Sequence, residues 1–186
     1  MKNKKFKIKN FGFTLVEMIV SLGVFAIATL ISTSSLLALT NAQKKALAFA
    51  SAEDNIRFAI ELMSKEIRTG DVYYCGSTFD DIPQKPSPRN CSSGGASLTF
   101  KNAQGIVVAY QVAGNRIQRS IAGAPFQPIT SSDVNIQNLL FYVLGSLAND
   151  SLHPRITIAI SGTAGSGSTR IVIDLETTVN QRKVER

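Results

Sequence analysis

The chain has 186 residues and a net charge of +7, with two cysteines, one histidine and no tryptophan. Five of its lysines, at positions 2, 4, 5, 7 and 9, fall within the first twelve residues, and setting them aside leaves +2. So small a remainder gives no argument for nucleic-acid binding. One histidine, scattered carboxylates and no glycine-rich phosphate loop after a strand leave no catalytic, cofactor or metal site to assign.

The basic segment runs into uncharged sequence from Met18 to Gln43. A basic segment ahead of an apolar one favours keeping its own end in the cytoplasm. From Phe13 to Leu39 the chain is dominated by Phe, Leu, Val, Ile, Met and Ala, and about 20 such residues span a bilayer as a helix. Ser21, Gly23, Thr29 and the cluster Ser32 to Ser35 interrupt it. Small residues let helix backbones approach closely, which suits a helix that leaves lipid to pack against similar helices. Glu17 stands alone at the start of this segment. A carboxylate in an apolar span costs a few kcal/mol and marks a function, unless it snorkels at the interface; the residue by itself leaves both readings open.

The junction Gly12, Phe13, Thr14, Leu15, Val16, Glu17, with its Lys-rich leader and following apolar segment, resembles the cleavage-and-methylation motif of type IV prepilins and type II secretion pseudopilins. The resemblance implies that a membrane prepilin peptidase cuts after Gly12, that residues 1–12 are removed, and that Phe13 becomes the N-methylated first residue. Glu17 is then the fifth residue of the mature chain and acts in filament assembly. An amine and a carboxylate four residues apart lie about one helical turn apart, so Glu17 of one subunit can neutralise the Phe13 amine of its neighbour, pairing two charges that are costly to bury singly. The implied partners are other pilin or pseudopilin subunits through the N-terminal helix, the peptidase, an inner-membrane platform and a motor ATPase. The implied location is a single pass of the inner membrane with the head exported, then a pilus or pseudopilus, periplasmic or extracellular. The competing reading is an ordinary secretory signal cut near Thr40 to Ala42, releasing a binding or enzymatic domain. It leaves Glu17 unexplained and removes the start of the helix.

Beyond Leu39 the chain turns polar without breaking, and no proline or glycine occurs between Val24 and Thr69. Ile56, Ile60, Met63 and Ile67 share one helical face, Glu61 and Lys65 form a favourable i, i+4 pair, and Gly70 supplies a C-terminal stop. The expectation is one helix over 13–69, near 85 Å long at about 1.5 Å per residue, with 13–39 in the membrane or filament core. The stretch Asn55 to Arg68 resembles the second half-helix of J-type pseudopilins and W-type minor pilins, which implies a minor, tip-associated subunit.

Residues 70–186 read as a globular head. Pro83, Pro86, Pro88, Asp80, Asp81 and the Ser and Gly pairs at 92–95 predict a loop over 71–96. Cys75 and Cys91 lie within it, and in an exported domain an even pair is expected as a disulfide worth around 3 kcal/mol; free thiols are the alternative in a less oxidising host. A metal role is disfavoured because the only histidine is His153 and the spacing fits no zinc pattern. Asp71, Asp80 and Asp81 are acidic loop residues, expected to be solvated rather than to bind calcium. Strands are predicted at Ser97 to Lys101, Ile106 to Val112, Arg116 to Ile121, Val134 to Val143, Arg155 to Ser161 and Thr169 to Val179, the first three joined as antiparallel hairpins. One sheet covering the helix stripe gives a pilin-like α+β fold: a long N-terminal helix, transmembrane in its first half, packed by an antiparallel head. Arg119 alternates with Ile117 and Ile121, so it either faces the core and needs a carboxylate, Glu61 or Glu66, or sits at a bulge or exposed edge. The string Tyr110 to Arg119, with Leu139 to Tyr142, again resembles J-type and W-type heads.

Overall fold

A computed structural model describes residues 12–76, 85–147, 152–167 and 170–182. The leader lysines and Asp80 and Asp81 lie outside these residues. The chain divides into two compact units, one ending at Gln43 and one starting at Lys44. A single helix, α1 (Leu15–Thr69), runs through both.

In the first unit every residue from Gly12 to Leu39 is exposed. Among the described residues α1 is the one helix long and apolar enough to cross a membrane, and none of its apolar window is buried. The hydroxyls that interrupt it are satisfied internally. Thr29 bonds the carbonyl of Phe25, Ser32 that of Ala28, Thr33 that of Thr29, Ser34 that of Leu30 and Ser35 that of Ile31, at 2.7–3.0 Å. Such back-bonding lets serine and threonine sit in an apolar helix without an unmet donor.

The second unit has an antiparallel strand set: β1 (Asp71–Gly76), β2 (Cys91–Gly95), β3 (Ser97–Lys101), β4 (Val107–Ala113), β5 (Arg116–Ile121), β6 (Gln127–Pro128), β7 (Val134–Leu144), β8 (Arg155–Ala164) and β9 (Ile171–Asn180). They form two sheets rather than the single sheet expected, a five-stranded one ordered β1-β3-β4-β5-β6 and a four-stranded one ordered β2-β7-β8-β9. The reason lies in 71–96, which is not all loop. Tyr73 and Cys75 alternate inward on β1, while β2 pairs with β7 although all of it after Cys91 is Ser and Gly. Each seeds the edge of a different sheet.

The helix stripe, extended by Ala52 and Ala59, joins both sheets in one core. Ile56, Met63 and Ile67 belong to the same buried cluster as Leu98, Phe100, Val108 and Tyr110 of the first sheet and Ile136, Phe141, Ile156 and Ile158 of the second. On β7 the inward set changes parity between Ile136 and Leu139, and the register shift against β8 between Ile136 and Asn138 absorbs it. One extra residue there keeps all five inward side chains on the core side. The helix stops at Thr69 as expected, but for a different reason. Gly70 is absent from the positive-φ positions; instead, a Cβ at Gly70 would lie 2.6 Å from the Phe100 ring and 2.8 Å from the Lys101 carbonyl. Close approach, not a left-handed cap, requires the glycine.

Candidate functional site

The N-terminal site is built by the start of α1. Thr14 is the N-cap: its Oγ1 accepts from the Glu17 amide at 3.3 Å, and its carbonyl accepts from the Met18 amide at 3.2 Å. Thr14 and Glu17 stand in the Thr-x-x-Glu spacing of a capping box. A carboxylate in the first helical turn also opposes the positive end of the helix dipole. The spacing is present in the sequence, where the filament motif overlies it. Among the described residues the cap is made by Thr14, and the Glu17 carboxylate returns no bond to the Thr14 amide. The Glu17 side chain is exposed and among the described residues it makes no ion pair. Phe13 is 75% exposed. A Cβ at Gly12 would meet nothing within 4 Å, so the fold does not demand glycine there.

In the head, Cys75 and Cys91 are joined as a disulfide, with Cα atoms 6.3 Å apart, within the usual span. Cys75 is buried on β1 and Cys91 half-buried on β2, so the bridge fastens the edge of one sheet to the edge of the other. Gly95 allows this closeness, since a Cβ there would lie 2.8 Å from the Gly76 carbonyl and 3.1 Å from the Cys75 Cβ.

Arg119 faces the core side and meets Glu66, not Glu61. Its Nε lies 3.1 Å from Glu66 Oε2, its Nη2 also holds Oε1, and the Tyr110 hydroxyl donates to Oε2. Tyr110 sits directly opposite Arg119 in the β4–β5 ladder. Burial first, and then the bond to the Glu66 carboxylate, pushes the Tyr110 phenol well above its ordinary range. Tyr73 caps the end of α1, its hydroxyl 2.6 Å from the carbonyls of both Ile67 and Gly70, which share its single proton. Its phenol too is pushed up, mainly by burial and then by the Asp71 charge. The Arg182 amide and Gln181 Nε2 complete the cap on the Arg68 and Gly70 carbonyls. These are structural devices, and Tyr73 and Tyr110 were not singled out in the sequence for them. His153 lines an open cleft with Leu144, Leu152, Arg155 and Gln181. Asp71 heads β1.

An exposed apolar helix with a capped, glycine-preceded start, continuing into an antiparallel head, defines a pilin-like architecture. Residues 7–33 match the family model described as the prokaryotic N-terminal methylation motif, and over that stretch the chain is similar to type IV prepilin-like precursors. No curated protein and no solved structure matches the chain.

Proposed function

We propose that the protein is a minor structural subunit of a type IV pilus or a type II secretion pseudopilus. The prepilin peptidase cleaves it after Gly12, Phe13 is N-methylated, and the apolar half of α1 first anchors it in the inner membrane and then enters the filament. The observation that carries this reading is the junction itself: a glycine the fold does not need, an exposed Phe13, and Glu17 one turn into a helix whose next two dozen residues bury nothing. Glu17 pairs with the Phe13 amine of an adjacent subunit, which converts two isolated charges in an apolar core into a compensated pair. The resemblance of Asn55 to Arg68 and of Tyr110 to Arg119 to J-type and W-type subunits supports a minor, tip-associated place. Its partners are the other subunits, the inner-membrane platform and the motor ATPase. The role is structural rather than enzymatic.

N-terminal sequencing with mass spectrometry of the mature protein tests the reading. A chain starting at methylated Phe13 is expected. A chain starting near Gln43 would mean release by an ordinary signal peptidase and would overturn it.

A further inference from the structure

We propose that β9 is a strand-addition site that takes an extended, basic segment of a different protein chain. The two sheets present four edges, and three of them are blunted. β6 is two residues long and ends in Pro128. β1 carries a register shift between Asp71 and Tyr74, a left-handed Val72 at φ 56°, and an Arg89 amide already bonded to the Tyr73 carbonyl. β2 has its own register shift between Cys91 and Gly95 and is tied down by the disulfide. Short strands, prolines, bulges and edge charges are the devices by which sheet edges are kept from pairing.

β9 lacks the first three, and its charges, Asp174 and Glu176, are both negative. It runs from Ile171 to Asn180 in unbroken register with β8 and contains no proline, glycine or lysine. Among the described residues no strand or backbone group pairs its other side. Its apolar residues are incompletely covered, with Val172 70% and Leu175 42% exposed. The edge is thus a row of free donors and acceptors flanked by uncovered side chains, the arrangement that strand addition uses.

Charge selects the occupant. Asp174 and Glu176 are exposed on one face of β9, opposite Ser161 and Ala159 of β8, and neither acid has an ion-pair partner among the described residues. A second copy is a poor fit. The longest symmetric antiparallel registers of β9 with itself set Asp174 against Glu176, or Glu176 against Glu176, and like charges directly opposite are destabilising. A strand with lysine or arginine at alternate positions meets both acids on one face while its backbone completes the ladder.

The test uses the full chain in non-ionic micelles and an end-blocked peptide of alternating threonine and lysine. Amide hydrogen exchange read by mass spectrometry is expected to slow across 171–180 on adding the peptide and to stay unchanged in β7. The Asp174→Lys, Glu176→Lys variant is expected to bind this peptide about tenfold more weakly and to take the threonine–glutamate counterpart instead. Methylating alternate backbone nitrogens of the peptide is expected to remove binding. Equal binding of the methylated peptide, or no slowing across 171–180, would overturn strand addition. Concentration-dependent slowing across 171–180 without any peptide would make a second copy the occupant and overturn the proposal.

Discussion

Glu66 of α1 and Arg119 of β5 grip each other at two points, with Arg119 Nε 3.1 Å from Oε2 and Nη2 on Oε1, and the Tyr110 hydroxyl adds a third bond to the same carboxylate. The two side chains are only 17% and 22% exposed. Removing one partner strands the other in a poorly hydrated site. Glu66→Ala is therefore expected to destabilise the head by about 2–3 kcal/mol, a little below the range for fully buried pairs. Replacing both by apolar residues, Glu66→Leu with Arg119→Met, is expected to cost less than the single change. Urea unfolding followed by near-UV circular dichroism checks the order.

The phenols of Tyr110 and Tyr73 are both raised above the unfolded value of about 10, so the folded chain keeps protons that the unfolded chain releases. Their contribution to stability is intact below pH 10 and is lost as pH rises towards the folded-state values. Stability is expected to fall above about pH 10, by up to roughly 1.4 kcal/mol per pH unit for each tyrosine. Tyr110→Phe or Tyr73→Phe removes one share of that slope. At neutral pH Tyr73→Phe lowers stability by about 1–2 kcal/mol, because it takes away the donor shared by the helix-end carbonyls of Ile67 and Gly70. Unfolding curves across the alkaline range, wild type against each variant, measure both effects.

The Cys75–Cys91 bridge spans 16 residues of sequence but joins two sheets. Cys75→Ala with Cys91→Ala is expected to lower stability by around 3 kcal/mol through the freed loop, and to speed amide exchange first in β2, whose Ser and Gly residues have little preference for a strand. Alkylation of both cysteines only after reduction confirms that the bridge forms in the protein as made.

Legibility in the sequence followed how local each cause was. The helix could be read to within two residues at its start because its signals, a long apolar run, the absence of proline or glycine from Val24 to Thr69 and a regular apolar stripe, are carried by neighbours along the chain. β3 and β5 were legible to the residue for a similar reason: they are short runs bounded by turn residues that include Gly105 and Gly114, although Arg119 interrupts the alternation of β5. β1 and β2 were not. The prolines at 83, 86 and 88 dominate that stretch, and β2 becomes a strand only because β7 and a disulfide hold it. The partner of Arg119 was open between Glu61 and Glu66 because one dimension cannot show register. Tyr110 lies opposite Arg119 only once β4 and β5 pair, and Glu66 turns towards them while Glu61 stays exposed. At the N-terminal site the capping of α1 by Thr14 went unread, because the same residues carry a more specific motif.

The Thr-x-x-Glu spacing gives Glu17 a test in which charge and capping separate. Glu17→Ala removes both, and it is expected to leave cleavage after Gly12 intact while filament incorporation falls sharply. Glu17→Gln keeps a capping-box residue at the same position, since glutamine reaches back to the N-cap as glutamate does, but cannot neutralise an amine. If the carboxylate acts by pairing with the Phe13 amine of a neighbour, Glu17→Gln incorporates as poorly as Glu17→Ala. If it acts by holding the first turn of α1, Glu17→Gln incorporates like the wild type and Thr14→Ala is the defective variant. Counting processed subunits in sheared filaments against those left in the membrane decides between them. Unchanged incorporation in Glu17→Ala would remove the charge argument altogether, leaving the glycine and the exposed phenylalanine as marks for the peptidase alone.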